Sequence, residues 1–367
     1  MARSPFSALS SLGPFGAVLG VLREVDVRPA RIAAETPFLI AFVSRDAQFA
    51  EHLAALMYRG DRPADTPPYR AAIGAPITDA APISRANVVV IVTRDDPQLR
   101  DEALRLKRAL EASNAPVLMC FAQERGAPPP AQSAAIGHAV TLPLDGGALD
   151  EQAAIERLTA AIRQLKAIDD LALARHLPAF RAPVVRALIE DVATANATYS
   201  LGSGLLQINP ATGLPIAVAD TVILTKNQAI MAYKIALAMG LSPDFKHVMP
   251  QIAGVIGGGL IFRQVARLAV GWLPGLGVAP KVAISFAGTF AIGEAVYRWS
   301  RSGERLTEEG LRAIYALAVE RGKALAAGLR QRRVTRPAQA KAKPNPPEPA
   351  MIALPPSPSH NGAAQPH

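Results

Sequence analysis

The first half of the chain alternates short apolar runs with amphipathic stretches. Pro37-Phe-Leu-Ile-Ala-Phe-Val43, Asn87-Val-Val-Val-Ile-Val92, residues 116–121 and residues 138–144 are apolar runs of strand length. The second run is β-branched and carries no charge, which predicts a buried central strand. Ala47 to Met57, Gln98 to Ala112 and Asp150 to Lys166 read as helices; the middle one sets Leu99, Leu104, Leu106 and Leu110 among alternating charges. Strands alternating with such helices predict an α/β domain over residues 36–168, a parallel sheet covered on both faces. Ahead of it, Pro5 to Leu22 is broken by Gly13, Pro14, Gly16 and Gly20, so residues 1–35 are expected to be an uncleaved, flexible lead-in.

Beyond residue 168 the β-branched runs cease. Pro178 to Thr198 reads as a helix, and Val192 to Ala219 is uncharged for 28 residues. Asn209, Pro210, Gly213 and Pro215 interrupt that stretch, so a kinked or re-entrant hairpin suits it better than a straight span. Asp220 to Met239 is an apolar helix with Gly240 at its stop, followed by Met249 to Arg267 and Val282 to Arg298. Thr307-Glu-Glu309 opens a last amphipathic helix to Gln331, with an N-cap hydroxyl and acids at the positive end of the dipole. The prediction is an all-helical domain over 178–331 and a disordered tail rich in proline, alanine and lysine over 332–367.

The 367 residues are enough for about two domains. Half are apolar, 19% are charged and mean hydropathy is +0.18, which suits a soluble part joined to an apolar one. One cysteine, Cys120, excludes an internal disulfide or a cysteine-based zinc site. The six histidines show no metal spacing, so no cofactor or metal is expected. Net charge +9 favours anionic partners. Nucleic acid is disfavoured, because aromatics are 5% and the basic residues gather on no one face.

In the helical part, Asn209-Pro, Leu214-Pro, Asp220, Asn227-Gln228, Met231, Lys234-Ile-Ala236 and Gly240 resemble the bacterial helical domain termed domain of unknown function 697, over roughly residues 180–325. That resemblance implies an inner-membrane association and, often, a preceding small GTPase domain. In a GTPase the first strand leads into a glycine-rich loop that wraps phosphate, with a lysine and a Ser/Thr for the terminal phosphates and magnesium. Phe49, Ala50 and Glu51 stand where glycine, lysine and serine would be needed, and Phe121-Ala-Gln-Glu124 replaces the guanine-reading Asn-Lys-x-Asp. Asp65-Thr-Pro-Pro68 echoes a switch motif only loosely. The expectation is a degenerate P-loop-GTPase-like domain that is not an enzyme.

Ligands of open parallel sheets bind at the carboxyl ends of the strands, where Ser44, Arg45 and Asp46, then Arg94, Asp95 and Asp96, then Gln123, Glu124 and Arg125 form the candidate crevice. The alternative function is a divergent nucleotide-binding protein whose phosphate site has moved to Arg45, Arg94 and Arg125. On the Asp220 helix, Asp220, Asn227 and Lys234 recur every seven residues as a polar seam, or as a narrow solvated face. Gly254 and Gly258, and the ridge Ala283, Ala287, Ala291 and Ala295, suit close helix packing. Residues 247–262 are 16 uncharged positions if His247 is neutral, short of the ~20 needed to cross a bilayer, so spanning and shallow insertion both stay open. Arg330, Arg332, Arg333, Arg336, Lys341 and Lys343 carry no acid between them and suit an anionic lipid surface, at about 1 kcal/mol each. Together these readings predict a membrane-associated adaptor at the inner membrane, its soluble domain cytoplasmic, with an unidentified protein partner and possible homo-oligomerisation.

Overall fold

The β-branched runs form strands as expected, and the weaker stretches between them also fold. The protein's structure is a computed structural model. It describes residues 26–60, 71–77, 80–94, 97–111, 116–128, 139–165, 168–203, 216–256 and 278–334. The α/β part comprises α1 (Arg28–Glu35), β1 (Ile40–Ser44), α2 (Ala47–Leu56), β2 (Ala72–Pro76), α3 (Ala80–Arg85), β3 (Val88–Arg94), α4 (Pro97–Glu111), β4 (Val117–Glu124), β5 (Ala139–Asp145), β6 (Ala148–Leu149) and α5 (Glu151–Leu165). The helical part comprises α6 (Asp170–His176), a 3-10 turn (Pro178–Phe180), α7 (Arg181–Ser203), α8 (Ile216–Ala238), α9 (Phe245–Ile256), α10 (Val278–Ser302) and α11 (Glu308–Val334). The chain is thus α/β followed by all-α.

Strand order is β2-β1-β3-β4-β5-β6. β1 to β5 pair in parallel, and β6 returns antiparallel on β5 through Gly146 and Gly147 at φ 59° and 83°. The sheet is therefore mixed, not purely parallel: a tight glycine turn lets the chain double back before α5. Order 2-1-3-4-5 is a doubly wound order, with its switch point between β1 and β3. Side chains alternate across the sheet. Phe42, Val90, Val92, Leu118 and Cys120 join one core with α2 and α5, and Val43, Val89, Ile91, Met119 and Phe121 join the other with Ile83 of α3 and Ala103 of α4.

β2, Ala-Ile-Gly-Ala-Pro, lacks β propensity, and two contacts hold it at the sheet edge. The Tyr58 hydroxyl accepts from Ala71 N (2.6 Å) and Ala72 N (2.7 Å) and donates to Ala72 O (3.1 Å). Gly74 lies so close to α2 that a Cβ would overlap the backbone of Ala50 and Glu51. α1 is also helical within the expected lead-in, with Ala30 and Ala34 buried; residues 1–25 lie outside the described residues.

The first core continues into the helical part through Leu171, Phe180, Val185, Tyr233, Phe286 and Val296. The described residues up to Ala327 belong to one compact unit; Gly328–His367 is another, described only for the end of α11. α8 ends in a Schellman arrangement: Gly240, φ 84°, donates to Leu237 O (2.9 Å) and Leu241 N donates to Ala236 O (3.0 Å). Thr307 caps α11 by accepting from Gly310 N at 3.1 Å. From Ala229 to Ala238 nearly every side chain of α8 is buried, packed by α7, α10, α6, α9 and α1. Its apolarity serves protein packing, and a helix apolar all round fits a core as well as a bilayer. The membrane-spanning helix allowed by the sequence is not found: no described helix is long and apolar enough to cross a membrane. The hairpin expected at 204–215 and the helix expected from 257 to 267 fall outside the described residues.

Gly74→Ala is expected to lower stability by about 2–3 kcal/mol in urea unfolding, because the methyl meets α2 backbone that cannot rotate away. Gly126→Ala, where nothing lies within 4 Å of a Cβ, should cost about 1 kcal/mol from its positive φ alone.

Candidate functional site

At the switch point the helices following β1 and β3 leave on opposite faces, and the gap between them is a crevice of about 160 Å³. Ser44, Arg45, Asp46 and Phe49 line one side, Thr93, Glu102 and Ala103 the other. Arg45 and Asp46 alone connect β1 to α2. Asp46 is the N-cap of α2: its Oδ1 accepts from Phe49 N at 3.1 Å, and its own N–H donates to Ser44 Oγ at 3.3 Å. The amide end of α2, which could receive an anion, is met by the chain's own carboxylate. Arg45 Nε lies 3.7 Å from Glu102 Oε2, an exposed pair worth little to stability.

The three expected strand-end clusters are only partly brought together. Ser44, Arg45 and Asp46 line the crevice with Thr93, which sequence reasoning missed. Gln123 is buried at the end of β4. Glu124 and Arg125 face the β5–β6 turn instead: Glu124 Oε1 accepts from Gly147 N at 2.8 Å, and Arg125 pairs with Asp150. Arg94 ends β3 without a described side chain, and Asp95 and Asp96 lie outside the described residues. Among the described residues no three His, Cys, Asp or Glu side chains converge as a metal site. Burial pushes the Cys120 thiol far up, which leaves it protonated and unreactive within β4.

In the helical part a polar chain joins three helices. Asn227 Nδ2 donates to Asn196 Oδ1 (2.8 Å), Asn196 Nδ2 to Thr289 Oγ1 (3.0 Å), and Gln228 Nε2 to the same Thr289 oxygen (3.1 Å). Asn196 and Thr289 are fully buried. Of the seven-residue stripe, Asn227 enters this network, Lys234 is half-buried, and the Asp220 side chain lies outside the description. The alanines at 283, 287, 291 and 295 are all buried; Gly322 of α11 approaches Ala283 so closely that a Cβ would lie 2.7 Å from its Cα. Gly254 faces the Arg305 guanidinium, and Gly258 is not described. Arg330, Arg332 and Arg333 lie on α11, which runs past the expected tail boundary; Arg336, Lys341 and Lys343 lie outside the described residues.

Where α6 meets α7, sequence reasoning missed a cluster of three buried basic residues, Arg175, His176 and Arg181. Arg175 Nη1 donates to Leu237 O (3.0 Å) and Leu241 O (2.8 Å) at the end of α8. Arg181 donates to Ala174 O and Arg175 O, both at 3.2 Å, at the end of α6. The His176 ring bonds to the backbone of Ala34 and Thr36 at the end of α1 and lies 5.3 Å from the Phe38 ring. Three helix C-termini, each the negative end of its dipole, therefore meet basic side chains. Burial, and next the Arg175 charge, hold the His176 pKa down to about 4, so the ring is neutral near pH 7.

Compared with known proteins, the chain matches no protein-family model, and no curated protein is significantly similar to it.

Thr289→Val is expected to cost about 2 kcal/mol, since it strands the buried amide of Asn196 and the half-buried amide of Gln228, and Thr289→Ser should restore most of that. A denaturation cycle with Asn196→Leu should give a double variant less destabilised than the sum of the singles.

Proposed function

We propose that this protein is a non-catalytic adaptor. Its α/β part is a degenerate GTPase-like domain, and its basic tail holds it peripherally on the anionic cytoplasmic face of the inner membrane, where it engages a protein partner. The observation that carries the reading is Asp46. A phosphate-binding protein needs an open, glycine-rich turn ahead of this helix, and here two residues make the turn and one supplies the anion. Glu51 adds a second carboxylate on α2 and no lysine follows in its place. The resemblance of residues 208–240 to the domain of unknown function 697 supports the helical half of the proposal.

The relocated phosphate site is disfavoured by charge and by size. Arg45 and Arg125 already have carboxylate neighbours, in Glu102 and Asp150. A crevice of about 160 Å³ is also smaller than the roughly 300 Å³ at which pockets for drug-sized ligands begin. Peripheral attachment is favoured over insertion because the apolar residues of α8 are engaged within the protein.

Titration calorimetry of the full chain with GTP, GDP and ATP plus magnesium should give no binding heat. Micromolar binding lost in Arg45→Ala or Arg94→Ala would replace the adaptor reading with the nucleotide-binding one. The full chain is the right material, because the sheet and the helices share a core that a cut near residue 168 would open.

In vesicle flotation the protein should rise with phosphatidylglycerol-containing vesicles and not with phosphatidylcholine alone, and 0.5 M salt should release it. Failure to bind anionic vesicles, or retention through alkaline carbonate, would count against a peripheral contact.

A further inference from the structure

We infer that α11 is a releasable strap: from Glu308 to Ala327 it swings away from the helical part as one unit while α7, α8 and α10 stay folded. Its weak point is a bare hydroxyl. Tyr315 is 4% exposed, and its hydroxyl is buried without a hydrogen bond. A hydroxyl taken from water and left without a partner opposes docking, and it regains water only when the helix lifts. The rest of the docked face is apolar. Between Glu308 and Ala327 the buried residues are Leu311, Ile314, Tyr315, Ala318, Gly322 and Ala326, one stripe at three- and four-residue spacing. That stripe meets α10 at Ala283, whose Cα would lie 2.7 Å from a Cβ on Gly322.

The links around this stripe are weaker than those within the bundle. Arg321 sits 5.2 Å above the Phe290 ring and 3.9 Å from Glu190, and both members of that ion pair are half exposed, so it adds little. Arg312 and Lys323 pair within α11, with Glu308 and Glu320. α7, α8 and α10 are instead tied by the chain of Asn196, Thr289, Gln228 and Asn227, and from Ala229 to Ala238 α8 is buried on nearly every side. Opening along the single stripe therefore costs less than opening the bundle.

The turn ahead of α11 supplies the hinge. Residues 303–305 are exposed, and Gly303 sits at φ 73° with nothing within 4 Å of a Cβ, so its dihedrals can change without a clash. Lifting α11 uncovers Ala283 and Phe290, which are 1% and 8% exposed when it is docked. The strap thus controls access to an apolar strip of α10, and a protein that binds this strip has to displace α11 first.

Hydrogen exchange of the full chain at about pH 7.5, read by mass spectrometry, tests this. Protection over residues 311–322 should be lower than over 185–198 and 229–238 by about tenfold or more. Tyr315→Phe removes the bare hydroxyl, and protection of 311–322 should rise about fivefold or more. Thr289→Val weakens the bundle equally in the docked and lifted states; it should lower protection of 185–198 and 229–238 and leave 311–322 unchanged. Equal protection in all three segments of the unmodified protein would overturn the inference. So would a Tyr315→Phe variant whose α11 is no better protected, or a Thr289→Val variant in which 311–322 falls along with the bundle.

Discussion

The convergence of three helix C-termini on Arg175, His176 and Arg181 is the constraint around which the rest of the structure is arranged. Carbonyl groups at a helix end have no partner within the helix, and burying them unpaired is costly. Here α6 and α8 end inside the protein and α1 ends at its surface, and a basic side chain answers each end. The guanidinium groups gain in turn, since the dipole ends and carbonyl oxygens offset part of their desolvation. Removing one arginine would leave bare carbonyls, at about 1–3 kcal/mol for each buried group left unsatisfied. The corner also reaches α2, whose Met57 carbonyl accepts from Ala179 N at 3.1 Å. Sheet and helices thereby share a core and do not merely touch.

What could be read from the sequence depends on whether the deciding interaction is local. β3 was legible because Val-Val-Val-Ile-Val suits a strand buried on both faces. β2 was not, because Tyr58 and the missing side chain at Gly74, distant choices, hold it in the sheet. α1 escaped notice for a related reason, since alanines and a contact from His176 make poor periodic signals. Cap signals were legible where the chemistry is contiguous, as at Thr307 and Gly240.

The polar chain through the bundle shows the same division. The stripe of Asp220, Asn227 and Lys234 pointed to Asn227, but nothing in one helix could show that Asn196 and Thr289 wait on two others. A lone amide in a long uncharged stretch, as Asn196 is, is the one available hint. Apolarity by itself separates two settings poorly. A helix at the centre of a bundle and a helix in a bilayer are both apolar on every side, and only their neighbours tell them apart. For α8 those neighbours are other helices of the same chain.

Asp46 illustrates how a doubly wound sheet can satisfy the helix amides at its switch point from within the chain. The fold requires that a helix follow β1 and that its first amides be satisfied; it does not require that phosphate satisfy them. An aspartate N-cap does so permanently, contributes about 1 kcal/mol to the helix, and needs only a two-residue connection. With this cap in place the turn needs neither glycine nor lysine, and the residues that follow are available for packing. Ala50 is buried, and its backbone, with that of Glu51, is what Gly74 packs against, so the first half of α2 helps hold the edge strand. A longer, glycine-rich turn at this point would have to displace the contact on which β2 depends.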